Sequence, residues 1–251
     1  MNFQGKTAIS TGAASGMGLL FAQNFASLGG NVVLCDVNEQ ALNEKVTEIN
    51  AQGKGKAIAL LCDVRDYKQV CAVRDKAVET FGSIDVMANF AGGYARRMLN
   101  AGPGEFPDIP IEVFDWGLDV NLKGPFYFAH AVLSQMRKQN SGLIINIGSI
   151  TGAEGSGDGM DYPTAKAGLM YGLTKSIAQF GSKYNIRCVC VSPGPVLTRA
   201  AMANMKTLLG RAAEPQEIID LCLFLASEKG QFINGENIMI DGGRNAMERM
   251  K

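Results

Sequence analysis

The sequence is short of the residues that build metal sites. It holds one histidine, His130, alone in a helix-like stretch. Its six cysteines, Cys35, Cys62, Cys71, Cys188, Cys190 and Cys222, are scattered, and none forms a C-x-x-C pair. Cys188 and Cys190 would share one strand face, but no histidine cluster accompanies them. No metal is therefore expected, and reduced, buried thiols are the reading for the cysteines. Charge of one sign is also lacking. Lys and Arg number 24, Asp and Glu number 24, and the net charge is zero. Without a basic stripe, nucleic acid is not an expected partner. No apolar run reaches the ~18 residues that would span a bilayer, so no membrane is expected. The first residues, Met1 to Lys6, do not combine a charged start with a long apolar run, which predicts a cytoplasmic protein without a secretory leader.

What is present is an alternation of short apolar runs and helix-like segments over 251 residues. Apolar runs near 7–10, 31–35, 57–62, 84–88, 143–147, 187–191 and 238–240 predict strands. The segments near 16–28, 39–51, 67–81, 111–138, 165–183 and 215–226 predict helices, the fourth interrupted near Gly124 and Pro125. In the second helix Leu42, Val46 and Ile49 fall at helical spacing. Strands without polar alternation are buried on both faces, and strands alternating with helices imply right-handed crossovers and a parallel sheet. No linker and no repeat divides the chain. The expected fold is one doubly wound α/β domain over residues 1–251. Pocket loops are expected near 93–110, 150–160 and 198–210, after the carboxyl ends of strands, where open sheets bind ligands.

Between the first strand and helix lies Thr11-Gly12-Ala13-Ala14-Ser15-Gly16-Met17-Gly18. Glycines there let the backbone approach a pyrophosphate, and a helix N-terminus offers it unpaired N–H groups. The spacing is G-x-x-x-G-x-G, not the more usual G-x-G-x-x-G. Asp36 ends the second strand, where a carboxylate accepts from a ribose diol and repels a ribose 2′-phosphate. Val37, Asn38 and Ser15 supply no compensating cation, so NAD is expected over NADP. Tyr162 and Lys166 stand one helical turn apart. A tyrosine titrates near pH ~10, and a close ammonium is expected to lower that value toward neutrality.

These motifs, in this order, resemble the short-chain dehydrogenase/reductase family in its compact single-domain form, over nearly the whole chain. The resemblance implies a Rossmann-type fold and a hydride transfer between NAD and a small alcohol or ketone. It matches the family's adenine-contacting acid to Asp63, followed by Val64, and its N-N-A-G stretch to Asn89-Phe90-Ala91-Gly92, with phenylalanine in second place. The catalytic set is carried onto Asn121, Ser149, Tyr162 and Lys166. Tyr162 would exchange the proton, Ser149 would bond the same oxygen, Lys166 would also hold the nicotinamide ribose, and Asn121 would position a water. The P-G-x-x-x-T segment places Pro193, Gly194, Val196 and Thr198 beside the nicotinamide. It implies a homotetramer or homodimer as well. For the substrate, Ser149, Tyr162, Tyr94, Arg96 and Met202 are the expected contacts, and the adjacent Arg96 and Arg97 would suit a carboxylate or phosphate. The tail from Asp241 onward is expected to reach a neighbouring subunit. An NADPH-dependent 3-oxoacyl-thioester reductase and a non-catalytic nucleotide-binding regulator stand as alternatives.

Overall fold

The computed structural model describes residues 1–247. In chain order the elements are β1 (Thr7–Thr11), α1 (Gly16–Ser27), β2 (Asn31–Asp36), α2 (Glu39–Ala51), β3 (Ala57–Leu61), α3 (Tyr67–Phe81), β4 (Val86–Asn89), α4 (Ala95–Met98), α5 (Ile111–Leu118), α6 (Gly124–Gln139), β5 (Gly142–Ile147), α7 (Thr151–Glu154), α8 (Asp161–Ala167), α9 (Thr174–Gly181), β6 (Ile186–Pro193), α10 (Pro215–Ala226) and β7 (Asn237–Ile240). All seven strands are parallel, in the order β3-β2-β1-β4-β5-β6-β7. The expected Rossmann-type doubly wound sheet is what the chain forms. The order reverses between β1 and β4, which opens a crevice at the strands' carboxyl ends.

Side chains alternate across the sheet and fill two apolar layers. Val32 and Leu34 of β2 face Phe21 and Phe25 of α1 and Ile218 and Ile219 of α10. Val33 and Cys35 face the other way, toward Val70 and Val73 of α3 and Phe128 and Val132 of α6. The helix ends follow from local chemistry. The Asn38 side chain accepts from the N–H of Ala41, and Asp66 accepts from Lys68 and Gln69. Gly82 closes α3 in the left-handed region. Glu214 and Glu217 form a capping box around Pro215, the first residue of α10.

Three regions differ from the sequence expectation. The helix near Pro125 is not broken; a π turn, Asp119–Lys123, joins α5 to α6. A proline clashes with the carbonyl four residues back, and the wider turn that contains Asn121 relieves that clash. The helix that carries Tyr162 starts at Asp161 rather than Ala165, and it too passes through a π turn, Gly168–Leu173. The segment 93–110 is less of a loop than its glycines and prolines predict. It contains α4 and a short turn of 3-10 helix, and Ala95, Ile109, Val113 and Phe114 make a third apolar cluster there.

All six cysteines are unpaired. Burial pushes the thiols of Cys35, Cys62, Cys188, Cys190 and Cys222 up, so they stay protonated and inert. Among the described residues no cluster of metal ligands forms and no helix is long and apolar enough to cross a membrane. His130 meets Tyr67, its Nδ1 2.5 Å from the phenol oxygen.

Candidate active site

A cleft of about 800 Å³ runs along the carboxyl ends of the strands. Gly12, Ser15, Gly16, Met17, Gly18 and Asp36 line one end. Gly12 has φ +62°, and a Cβ there would press on the Ala91 backbone at 3.0 Å. A Cβ at Gly18 would lie 2.6 Å from the Gly12 carbonyl oxygen. No larger residue fits either position. Ser15 is the N-cap of α1, yet its side chain caps nothing, so the first N–H groups of the helix stay open to an anion. The Asp36 carboxylate is held by two backbone N–H donors, Ala14 and Asn38, each at 3.1 Å.

Asp63, Val64, Ala91 and Gly92 line the middle of the cleft, and Pro193, Gly194, Val196 and Thr198 line its far wall. Asp63 is already engaged: Arg65 binds it at 2.6 Å and holds its carboxyl below the ordinary range. An adenine amino group would share that carboxylate with Arg65. Asn89 departs from expectation. It does not line the cleft; it is buried in β4, where its Nδ2 donates to Asn146 Oδ1 at 2.9 Å across the β4–β5 register.

At the other end Ser149, Tyr162 and Lys166 come together. Ser149, just past β5, shares a hydrogen bond with the Thr151 hydroxyl at 2.8 Å and accepts from the Thr151 N–H. The Lys166 side chain is buried, and its ammonium donates to the carbonyl of Ile147 at 2.8 Å. Burial brings its pKa down to about 8. It stands 5.4 Å from the centre of the Tyr162 ring. Its charge is not among those that act on the phenol, and the expected depression of the tyrosine does not arise. Burial pushes Tyr162 up, opposed by the Ser149 hydroxyl and by the charges of Arg97 and Arg199.

Asn121 sits below the cleft floor. Its amide donates to the carbonyls of Gly93 and Gly117, and its Oδ1 accepts from the Gly93 N–H. Both amide hydrogens are used, so the expected water position is limited to the spare lone pair of Oδ1. The visible work of Asn121 is to anchor the segment that follows Gly93.

Of the expected substrate contacts, Tyr94 and Met202 line the cleft, with the Tyr94 ring edge-on to Tyr162 at 6.4 Å. Arg96 does not. Its guanidinium donates to the carbonyls of Asp158 and Gly102 and so ties two loops together. Its neighbour Arg97 faces the cleft instead, with Arg199. The tail also turns inward: Arg244 pairs with Glu154 at 2.9 Å and donates to the carbonyl of Lys206. Residues 248–251 of that tail lie outside the described residues.

Residues 12–245 match a family model described as enoyl-(acyl carrier protein) reductase. The chain belongs to the short-chain dehydrogenase/reductase family, whose members are oxidoreductases that bind NAD(P). It is 39% identical to trans-4-hydroxycyclohexanecarboxylate dehydrogenase of Sinomonas cyclohexanicum, covering 98% of this chain and 95% of the relative. It is 34% identical to a 3-oxoacyl-(acyl-carrier-protein) reductase of Thermotoga maritima, over 97% of this chain and 99% of that one. A solved structure of NAD+-bound xylitol dehydrogenase superposes with a TM-score of 0.87 at 28% identity, covering 97% of this chain and all of the other.

Proposed function

We propose that this chain, folded as a single domain, interconverts a secondary alcohol and a ketone with NAD. The observation that carries the reading is the convergence of Ser149, Tyr162 and Lys166 at one end of a cleft whose other end is the glycine turn and Asp36. The residues fit a dinucleotide: open N–H groups for a pyrophosphate, a fixed carboxylate for a ribose diol, and a buried ammonium whose one protein acceptor, Ile147, leaves two hydrogens for the second ribose. Asp36 favours NAD, as does the likeness to an NAD-bound dehydrogenase. The name of the Sinomonas relative also denotes oxidation of a ring alcohol.

NAD, when bound, supplies the acceptor for the hydride that leaves the carbinol carbon. Tyr162 takes the hydroxyl proton as phenolate, the form that the Ser149 hydroxyl and the charges of Arg97 and Arg199 favour against burial, and in the reverse direction it returns the proton to the carbonyl oxygen. Ser149 hydrogen-bonds the same oxygen and steadies its changing charge. Lys166 orients the ribose, and Asn121 is a positioning residue. Phe126, Tyr171 and Phe180 remain exposed on the helices 124–139 and 168–181, which supports assembly with further copies of the chain as a dimer or tetramer.

The test is a panel of alcohols and ketones assayed with both nicotinamide cofactors by absorbance. NADH is expected to form with at least one secondary alcohol. Tyr162→Phe should lower kcat by about 10²–10⁴-fold while NAD still binds. A wild-type protein that turns over no alcohol or ketone with either cofactor would sink the proposal, and 3-oxoacyl thioesters with NADPH as the best pair would replace it.

A further inference from the structure

Arg97 and Arg199 come from distant parts of the chain. Arg97 lies on α4, inside the packed segment after β4, and Arg199 lies just past β6. Both line the cleft at the end that holds Tyr162. Among the described residues neither meets a carboxylate. Among the described residues the Arg97 guanidinium makes no hydrogen bond, and the one hydrogen bond of the Arg199 guanidinium is a weak one to the Met202 sulfur at 3.6 Å. Four arginines elsewhere meet a carboxylate, Arg65 with Asp63, Arg74 with Asp75, Arg211 with Glu217 and Arg244 with Glu154, and Arg96 and Arg187 donate to backbone carbonyls.

The two guanidiniums are close enough to repel. Burial, and then the charge of Arg97, push Arg199 down, while Tyr162 draws it up. The acids that line the cleft are Asp36, at the glycine turn, and Asp63, which is already paired with Arg65. The wall around the arginines is apolar, with Met98, Trp116, Val120 and Met205. Both residues are exposed at the cleft and, among the described residues, have no protein carboxylate beside them, so an anion that enters meets two free donors. A planar guanidinium fork matches a carboxylate in two-point contact.

We propose that Arg97 and Arg199 form an anion subsite that grips a carboxylate of the substrate, so that the alcohol presented to Tyr162 is a hydroxy acid whose apolar body lies against the methionines and Trp116. The choice of substrate class rests on the reading of Tyr162 as the proton-exchanging group; the subsite itself does not. Tyr94, whose ring stands edge-on to Tyr162, bounds the chamber from the same segment as Arg97.

Binding tests the subsite without turnover. Trp116 is the one tryptophan of the chain, and its fluorescence reports an occupant of the chamber. With NAD present, benzoate should bind the wild-type protein on the order of 10–100-fold more tightly than the neutral isostere benzamide, the range expected of charge-assisted hydrogen bonds. Arg97→Gln and Arg199→Gln should each erase most of that preference, and Arg97→Lys should restore part of it. Circular dichroism confirms that each variant is folded. Equal binding of benzoate and benzamide, or a preference that survives both substitutions, overturns the subsite. Tighter binding of phenyl phosphate than of benzoate overturns the carboxylate assignment. Weaker NAD binding in both variants with benzoate unaffected gives the arginines to the cofactor and overturns the proposal as well.

A kinetic arm separates this inference from the reading beneath it. Hydroxy acids that differ in the distance from carboxylate to carbinol are compared with their methyl esters. The ratio of kcat/KM, acid over ester, should fall by about 10–100-fold in either arginine variant. Taking the ratio cancels any common effect of the lost charge on Tyr162. Turnover of esters and neutral alcohols without preference for acids would refute the subsite and leave the dehydrogenase standing.

Discussion

Asp36, proposed to read the cofactor ribose, has little freedom to move. One carboxylate oxygen accepts from Ala14, within the glycine turn, and the other from Asn38, which also caps α2. Its charge is therefore fixed where a ribose would arrive. Arg65, which also lines the cleft, is already spent on Asp63. Asp36→Ala should shift the NADP-over-NAD ratio of kcat/KM upward by about 10-fold or more, the scale of one charge-assisted hydrogen bond; an unchanged ratio would show that Asp36 does not read the ribose. Tyr162 and Lys166 give the opposite lesson. Helical spacing makes two residues neighbours, but it does not aim the ammonium at the phenol oxygen. Lys166 bends to Ile147 and is itself partly discharged by burial. The charges that reach Tyr162 come from Arg97 and Arg199, whose convergence no local pattern announces.

At the scale of elements, the two helices with π turns do much of the positioning. The turn at 119–123 brings Asn121 under Gly93, and α8 packs on α5 so closely that a Cβ at Gly117 would overlap the Asp161 carboxylate. Asp161 is buried, and neither carboxylate oxygen has a hydrogen-bond partner. Burial pushes its carboxyl up. A carboxylate with a raised folded-state value destabilises the fold when ionised, and the penalty is relieved as the pH falls through that value toward the ordinary 3.8. Asp161→Asn should therefore raise Tm at neutral pH, with the gain shrinking in more acidic buffer; calorimetric scans across pH check both. The strands, the order of helices and the glycine turn were legible in the sequence because each is a local pattern of apolar periodicity or spacing. The π turns, Asn89 pointing into the sheet, and Arg96 turned away while Arg97 turns in were not. They depend on register, on the phase of a short helix and on contacts between remote segments.

On the scale of the whole molecule, the loops near the Tyr162 end of the cleft are tied to one another. Arg96 joins the segment 93–110 to Asp158, and Arg244 joins the chain's end to Glu154 and Lys206. Beneath these ties lies the buried side chain of Lys166, titrating about pH 8 instead of 10.5. Hydroxyls that accept its spare hydrogens favour the charged form and move that titration upward. The protein should then take up protons from the medium as it loads NAD near pH 8–9. Calorimetry in two buffers of different ionisation heat should give different apparent binding enthalpies there and matching ones near pH 6. Lys166→Met should abolish the difference. Cofactor affinity would accordingly decline in alkaline medium, so that the surrounding proton concentration sets how much of the protein is loaded before any alcohol arrives.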